Sequence, residues 1–593
     1  MASILQHRNP IDIYRHQAGH YRLLPGYALA LLLTACGGNS TPAPPSGGSD
    51  NPQILAEQLD EARAGASGTQ PGSLPGELPE ASAVRFLNQA SFGSTEADVA
   101  NAMAQWRWGW LQTQFSTPVA KTHWEQVLAD EAAWRAEDPA RAQANTPRVI
   151  WDWSVWETYL TSPDQLRKRI AYALSQILVV SMETLPDARF GAGYMDVLEA
   201  NAFGNFRQLL EDVTLTPAMG QYLSYRGNRK AVYPNNDPTR DPIRVPDENY
   251  AREVMQLFTI GLYLLNPDGT LKLVNGEPVE TYGEQDVQGL ARVFTGWDWQ
   301  PRTVGEYERL PMRHIANRHS PEEKAFLGVT IAAGTDGPSS LAMALDTLFN
   351  HPNTAPFISK QLIQRLVTSN PSTEYVSRVA ARFIDNGDGV RGDLRAVIEA
   401  VLLDTEARSP FHISAPAPGW GKLREPVLRF TTFARAFGVS NSQEIWRYGD
   451  LSEPSTALGQ SPLRSPSVFN FYRPGYVPPN TSIARDNLVA PEFQIATETS
   501  IPGYVNFMQK QLTNPPAGIR YNFDPELALV NNPVALVARL NRRLTNNAMR
   551  TQTQELIINT ISALPVATDN QKLNRVRTAI LMTLAAPDFV VQK

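Results

Sequence analysis

The segment Asp247-Glu248-Asn249-Tyr250-Ala251-Arg252-Glu253 gathers three carboxylates, an amide and a guanidinium within seven residues. On a helix each residue advances by ~100°, so Glu248, Arg252 and Gln256 fall on one stripe, with Asn249 and Glu253 beside it. Such a stripe is either a solvated ion pair, worth about 0.3–0.5 kcal/mol, or the wall of a cleft. In a cleft, Glu248 and Glu253 could exchange protons, and His319, an imidazole titrating near neutrality, would be the natural proton carrier. Arg252 would hold a carboxylate through its planar fork. Asp286, Arg292 and Trp297 are expected to line the same cleft, with Trp299 beside them because both tryptophans follow Gly296 at a predicted loop.

A second oxygen-rich stretch runs through Asp237, Asp241 and Asp247 to Glu248. Calcium takes six to eight oxygen ligands, so these residues are the weak candidates for a calcium site, although the polarity of a loop alone explains them more simply. No other cofactor is evident. The familiar catalytic signatures are missing: there is no HExxH, no Walker loop and no GxSxG elbow. Gly191-Ala192-Gly193 lacks the third glycine of a dinucleotide fingerprint, and Asp385-Asn386-Gly387-Asp388-Gly389 fails the EF-hand spacing. Five histidines follow Cys36, namely His123, His314, His319, His351 and His412. Tryptophans cluster at 106/108/110, 124, 134 and 151/153/156. They could form a platform for sugar rings, but Trp153 and Trp156, three apart, share a helical face and read as packing.

The elements around these residues are helical. Apolar residues recur at helical spacing after Ser162-Pro163-Asp164-Gln165, which has the form of a capping box with proline at the first helical position. A helix is predicted from Asp247 to about Leu264. Further windows cover roughly 284–295, 340–350, 356–369, 373–385, 392–404, 533–545, 549–563 and 569–586. One hairpin is predicted at Asn266–Glu280, with turns at Asn266-Pro267-Asp268-Gly269 and Asn275-Gly276. Proline-rich joints at Ser409–Gly421 and Ser461–Pro479 break the helices; Phe469, Phe471, Tyr472 and Tyr476 interleave with the prolines of the second, which marks a loop packed on a core. The expected class is mainly α, one large multi-helix domain with few short strands or hairpins over residues 81–593.

What precedes that domain has a different composition. Leu23–Ala35 is an apolar run behind Arg8, Arg15 and Arg22, too short to span a bilayer, which needs about 20 apolar residues. It ends in Leu33-Thr34-Ala35-Cys36, which resembles the lipobox of bacterial lipoproteins, and Cys36 is the only cysteine. Residues 1–35 are therefore expected to be a lipoprotein signal peptide, and Cys36 a lipidated N-terminus. Residues 36–80 are rich in Gly, Pro and Ser, which cannot bury enough surface to offset ordering entropy, and read as a disordered tether. Gly37 after the cysteine resembles lipoproteins sorted to the outer membrane. The net charge of −6 gives no basic footprint for a general nucleic-acid binder.

The sequence DENYAREVMQLFTIG, followed by YGEQDVQGLARVFTGWDW, resembles the core of the bacterial exported family called domain of unknown function 1800. Arg85-Phe86-Leu87, Ala90-Ser91-Phe92-Gly93, Thr216-Pro217-Ala218-Met219, the run from His319 to Gly328, His351-Pro352 with Phe357-Ile358, and Pro466-Ser467-Val468-Phe469 resemble further family motifs in order. The likeness covers about residues 83–590. Two departures stand out: Ser320 follows His319 where the family usually has aspartate, and the insert Gly227–Pro246 is long. The resemblance implies an exported, largely helical protein, and as a partner the product of a neighbouring gene resembling alkaline phosphatases and sulfatases. It implies no reaction. Together these observations predict a membrane-anchored lipoprotein of the cell envelope, a binding or assembly factor; the alternative is an extracytoplasmic hydrolase acting on a polymer through carboxylate and histidine acid–base chemistry.

Overall fold

Thr95 and Thr122 each stand three residues before an acid, and both pairs close reciprocal caps. In the computed structural model Thr95 Oγ1 accepts from the Asp98 N–H at 3.1 Å while Asp98 accepts from the Thr95 N–H at 2.8 Å. Thr122 and Glu125 repeat the arrangement. These caps satisfy N–H groups that a helix start leaves free, and they open the helices Glu96–Ser116 and His123–Ala136. The structure describes residues 78–593 apart from residue 238, residues 410–418 and the side chain of residue 236. The expected signal, Cys36, most of the tether, His412 and much of the first proline joint lie outside the described residues.

The mainly α class is what the structure shows. The predicted windows appear as the helices Glu284–Val293, Gly337–Asn350, Thr354–Leu366, Thr373–Ile384, Leu394–Leu403, Pro533–Thr545, Thr551–Ser562 and Asp569–Ala585. Among the described residues β structure is confined to two-stranded antiparallel pairs. The predicted hairpin is one of them: Leu273–Val274 pairs with Glu277–Pro278. Asn275 and Gly276, with φ of 54° and 85°, form the two-residue turn that such a hairpin favours. Another pair joins Val591–Gln592 to Lys422–Leu423, stitching the last residues to the middle of the sequence. Among the described residues no helix is long and apolar enough to cross a membrane.

Two boundaries differ from expectation. The helix predicted to reach Leu264 spans only Asn249–Gln256. Gly261, at φ +72°, turns the chain so that its N–H and that of Ile260 both reach back to Met255 O, at 3.0 and 2.9 Å. A side chain there would meet the Phe357 ring at 2.9 Å, so glycine ends the helix by both conformation and space. The second helix begins at Gln165 rather than at Pro163. Ser162 gives its hydroxyl proton to Asp164, and the Gln165 side chain donates to Ser162 O at 2.8 Å instead of capping the helix.

The core is aromatic. Trp110, Trp124, Trp151, Trp153 and Trp156 are buried. The indole N–H groups of Trp151 and Trp156 donate to Pro462 O and Gly449 O at 3.0 and 2.9 Å. These tryptophans pack helices and pin a distant loop, which leaves them no face for stacking a sugar.

Candidate functional site

The Asn249–Gln256 helix turns Tyr250, Ala251, Val254 and Met255 into the core, which presents the predicted polar stripe to the outside. Arg252 Nη2 lies 3.4 Å from Glu248 Oε2 and 3.3 Å from Glu284 Oε2. All three side chains are solvated, so the pairing contributes little to stability. Partial burial and the neighbouring Glu284 carboxylate raise the pKa of Glu248, against the pull of Arg252. Glu253 is different. It is 8% exposed, and its Oε2 has no hydrogen-bond partner. Burial pushes its carboxyl up to about 7, only partly offset by Arg252, so it sits where a group can both hold and release a proton at neutral pH.

The other predicted residues are placed nearby but aimed elsewhere. Asp286 spends both oxygens on backbone, accepting from Gly283 N at 2.8 Å and from Leu327 N at 2.6 Å; it clamps its helix to the Lys324–Ile331 hairpin. Arg292 lies 3.1 Å from Glu322 Oε2 and donates to Glu323 O at 2.9 Å. Trp299 is buried, with its N–H on Pro217 O at 3.0 Å and the Arg226 guanidinium 3.5 Å from its ring centre. Trp297 is buried and stands across a strand pair from His314, the rings 5.1 Å apart. His319 Nδ1 lies 2.9 Å from Thr295 O, which assigns its proton to Nδ1 and leaves Nε2 a free lone pair. Burial lowers its pKa and keeps the ring neutral. Its neighbour is the His314 ring at 5.2 Å; among the described residues its polar contacts reach none of Glu248, Arg252 or Glu253. Ser320, at the position of the family's aspartate, donates its N–H to Thr295 Oγ1 at 2.8 Å.

One loop, which sequence reasoning passed over, joins these segments. Gly227 N–H donates to Trp297 O at 2.7 Å and Gly296 N–H to Asn228 O at 2.8 Å. The Asn228 side chain accepts from Asp247 N at 2.9 Å and donates to Asp247 O at 3.2 Å. Asn249 completes the corner: its N–H donates to Asp247 Oδ1 at 2.9 Å. The calcium candidates do not converge. Asp237 accepts from Thr239 and pairs with Arg240 at 3.3 Å, Asp241 is exposed, and Asp247 holds Asn249 and Ser224. Among the described residues no three His, Cys, Asp or Glu side chains are grouped to hold a metal ion.

Beside that corner lies an open groove of about 350 Å³, lined by Arg229, Lys230, Arg244, Asn317 and Arg318. Backbone fixes its walls: Lys230 N–H donates to Arg318 O at 2.8 Å, and Lys230 O accepts from Arg244 Nη2 at 3.2 Å. Arg318 pairs with Asp298 at 2.9 Å. Arg229, Lys230 and Arg244 form no ion pair among the described residues. Ile243 and Val245, 73% and 58% exposed, flank Arg244. The available signal was the long insert 227–246 itself, in which Arg229, Lys230, Arg240 and Arg244 recur.

The order of motifs along these elements is that of one family. Its model, described as a protein of unknown function (DUF1800), matches residues 85–591. The chain belongs to the DUF1800 family. No curated protein and no solved structure matches it. In this DUF1800 protein the motif segments build a frame in which backbone hydrogen bonds hold Asp286 and Thr295, and Asn228 of the insert joins it through the Asp247 backbone. That frame leaves two features uncommitted, the buried Glu253 carboxyl and the open basic groove.

Proposed function

We propose that this protein is a binding factor of the cell envelope, held at the outer membrane by lipid on Cys36 and presenting the basic groove to phosphate or sulfate esters of an envelope component. The observation that carries the reading is the groove. A chain with a net charge of −6 gathers Arg229, Lys230, Arg244 and Arg318 around one cavity and leaves three of them unpaired. Arginine and lysine at close quarters recognise ester oxyanions by charge and by directed N–H groups. The exposed Ile243 and Val245 would add apolar contact. The partner implied by the family resemblance, a phosphatase- or sulfatase-like exported protein, handles the same class of ester.

Two variants test the reading in cells. Cys36→Ser should lose radiolabelled palmitate and leave the membrane fraction; unchanged labelling and retention would contradict the anchor. Arg229→Glu combined with Lys230→Glu should stay folded and anchored yet fail to restore the phenotype of a gene deletion; full complementation would remove the groove from the function.

A second reading rests on Glu253, a buried acid titrating near neutrality beside Arg252. In a hydrolase it would serve as general acid or base. Release of small products from a polymer by the wild type but not by Glu253→Gln would favour it over binding alone.

A further inference from the structure

The insert that walls the basic groove has a second face. Its two arms meet at an antiparallel bridge between Val232 and Arg244. Val232 N–H donates to Arg244 O at 3.0 Å, and Ile243 N–H to Val232 O at 2.7 Å. Residues across such a bridge share a face of the ribbon, and their chain neighbours take the other. Arg244 lines the groove, so Ile243 and Val245 stand on the opposite face. Every residue from Thr239 to Val245 is exposed. Ile243, at 73%, is the most exposed large apolar side chain among the described residues, and Val245 follows at 58%.

That face is unsuited to a pairing strand. Pro242 and Pro246 bracket Ile243-Arg244-Val245 and carry no N–H. The N–H groups of Ile243 and Arg244 are both spent on Val232 O, at 2.7 and 3.3 Å. The outer edge therefore has little to offer another chain. The prolines also hold the residues before them extended, and Tyr233 Oη ties the base of the ribbon to Glu322 at 2.8 Å. Two β-branched side chains are thus held in water at a fixed place.

Charge selects what covers them. The insert 227–246 carries Arg229, Lys230, Arg240 and Arg244 against Asp237 and Asp241. Asp237 pairs with Arg240, which leaves the groove-lining cations in excess. A segment with one apolar and one cationic face suits a membrane interface: the apolar face enters ~5–10 Å at the boundary of headgroups and acyl chains, and the polar face stays among the headgroups. The long stems of arginine and lysine keep their charges at the level of the phosphates. The groove between the ribbon and Asn317–Arg318 then takes a headgroup phosphate. A soluble phosphate ester would fill the groove as well, but it would leave Ile243 and Val245 in water.

We propose that the insert docks on an anionic phospholipid surface, with Ile243 and Val245 at the acyl chains and a lipid phosphate among Arg229, Lys230, Arg244 and Arg318. This rests on the reading of the groove as an anion site and names its ligand as a lipid headgroup. The anionic surface attracts the cations, and removal of the two apolar side chains from water holds the ribbon there.

Cys36→Ser removes the only cysteine, so a second substitution can place a single environment-sensitive dye on the full chain. An NBD label on Ile243→Cys should shift to the blue with phosphatidylglycerol vesicles and not with phosphatidylcholine. The same label on Leu556→Cys, 61% exposed on the Thr551–Ser562 helix, should stay in water. Ile243→Ser with Val245→Ser should keep its melting temperature, bind the anionic vesicles at least tenfold more weakly, and still be stabilised against heat by inorganic phosphate. Insertion is overturned, with the groove left standing as an anion site, by any of three results: a label at 243 that stays in water while vesicles sediment the chain, a serine variant that binds them as the wild type does, or stabilisation by phosphate with no vesicle binding. If Arg229→Glu with Lys230→Glu changes neither vesicle nor phosphate binding, the groove reading falls and this inference falls with it.

Discussion

Lys422→Met is expected to destabilise the protein by about 3–5 kcal/mol, the cost of removing one partner from a buried charge cluster. Lys422 Nζ lies 2.9 Å from Glu492 Oε1 and 3.9 Å from Glu425 Oε1. It also donates to Gln364 O at 2.8 Å and to Arg365 O at 2.9 Å. Methionine replaces the volume, but it leaves Glu492 and Glu425, both buried, without the ammonium they share. The position compounds the effect, because Lys422 also belongs to the strand pair that fixes Gln592. The midpoint of urea unfolding should fall accordingly. Lys422→Met with Glu492→Met should recover part of the loss, since apolar side chains often replace a buried ion pair without penalty. A single variant as stable as the wild type would show that the cluster is open to water.

Glu253→Gln should act in the opposite direction, increasingly as pH rises from the unfolded value of 4.5 to about 7. The carboxyl is raised from 4.5 to about 7 by burial. The folded protein therefore keeps this proton over a range where the unfolded chain releases it. The associated stability is fully present below the unfolded value, is lost as pH rises through the folded one, and leaves a penalty of roughly 3 kcal/mol at pH 8. Tyr222 and Tyr282 face the group alongside Arg252, and none of them discharges it. The glutamine variant should be more stable than the wild type at pH 8 by about that amount and indistinguishable near pH 4. Equal stability at both values would mean that the Glu253 carboxylate is solvated.

Most helices were legible because amphipathic spacing and capping residues act within a few positions of one another. Asn275-Gly276 is such a local signal. The early end of the Asn249–Gln256 helix depends on the Phe357 ring pressing on Gly261, a contact from another element that no local pattern contains. The same division applies to the site. The stripe Glu248–Arg252 follows from helical geometry, whereas its third member, Glu284, arrives from 32 residues away. Asp286 read as a cleft residue because its acidity was visible and its partners, the N–H groups of Gly283 and Leu327, were not. The aromatic and proline joint 461–479 was recognisable as a loop packed on a core. What it packs around was not, because Glu425 meets Tyr172 and Gln176 across 253 and 249 residues. The basic groove went unread because the length of its insert registered and the charge within it did not.

Binding of the unlipidated Cys36→Ser chain, freed of the proposed anchor, to vesicles of phosphatidylglycerol, compared with phosphatidylcholine, measures the central claim most directly. Sedimentation at low and at physiological salt should show binding to the anionic vesicles alone, weakened at least tenfold by the added salt, because exposed charges are screened over about 8–10 Å. Inorganic phosphate should compete, and Arg229→Glu with Lys230→Glu should abolish the binding while the melting temperature holds. Equal binding to both vesicle types, or binding by the charge-reversed variant that matches the wild type, would contradict an anion-binding role for the groove.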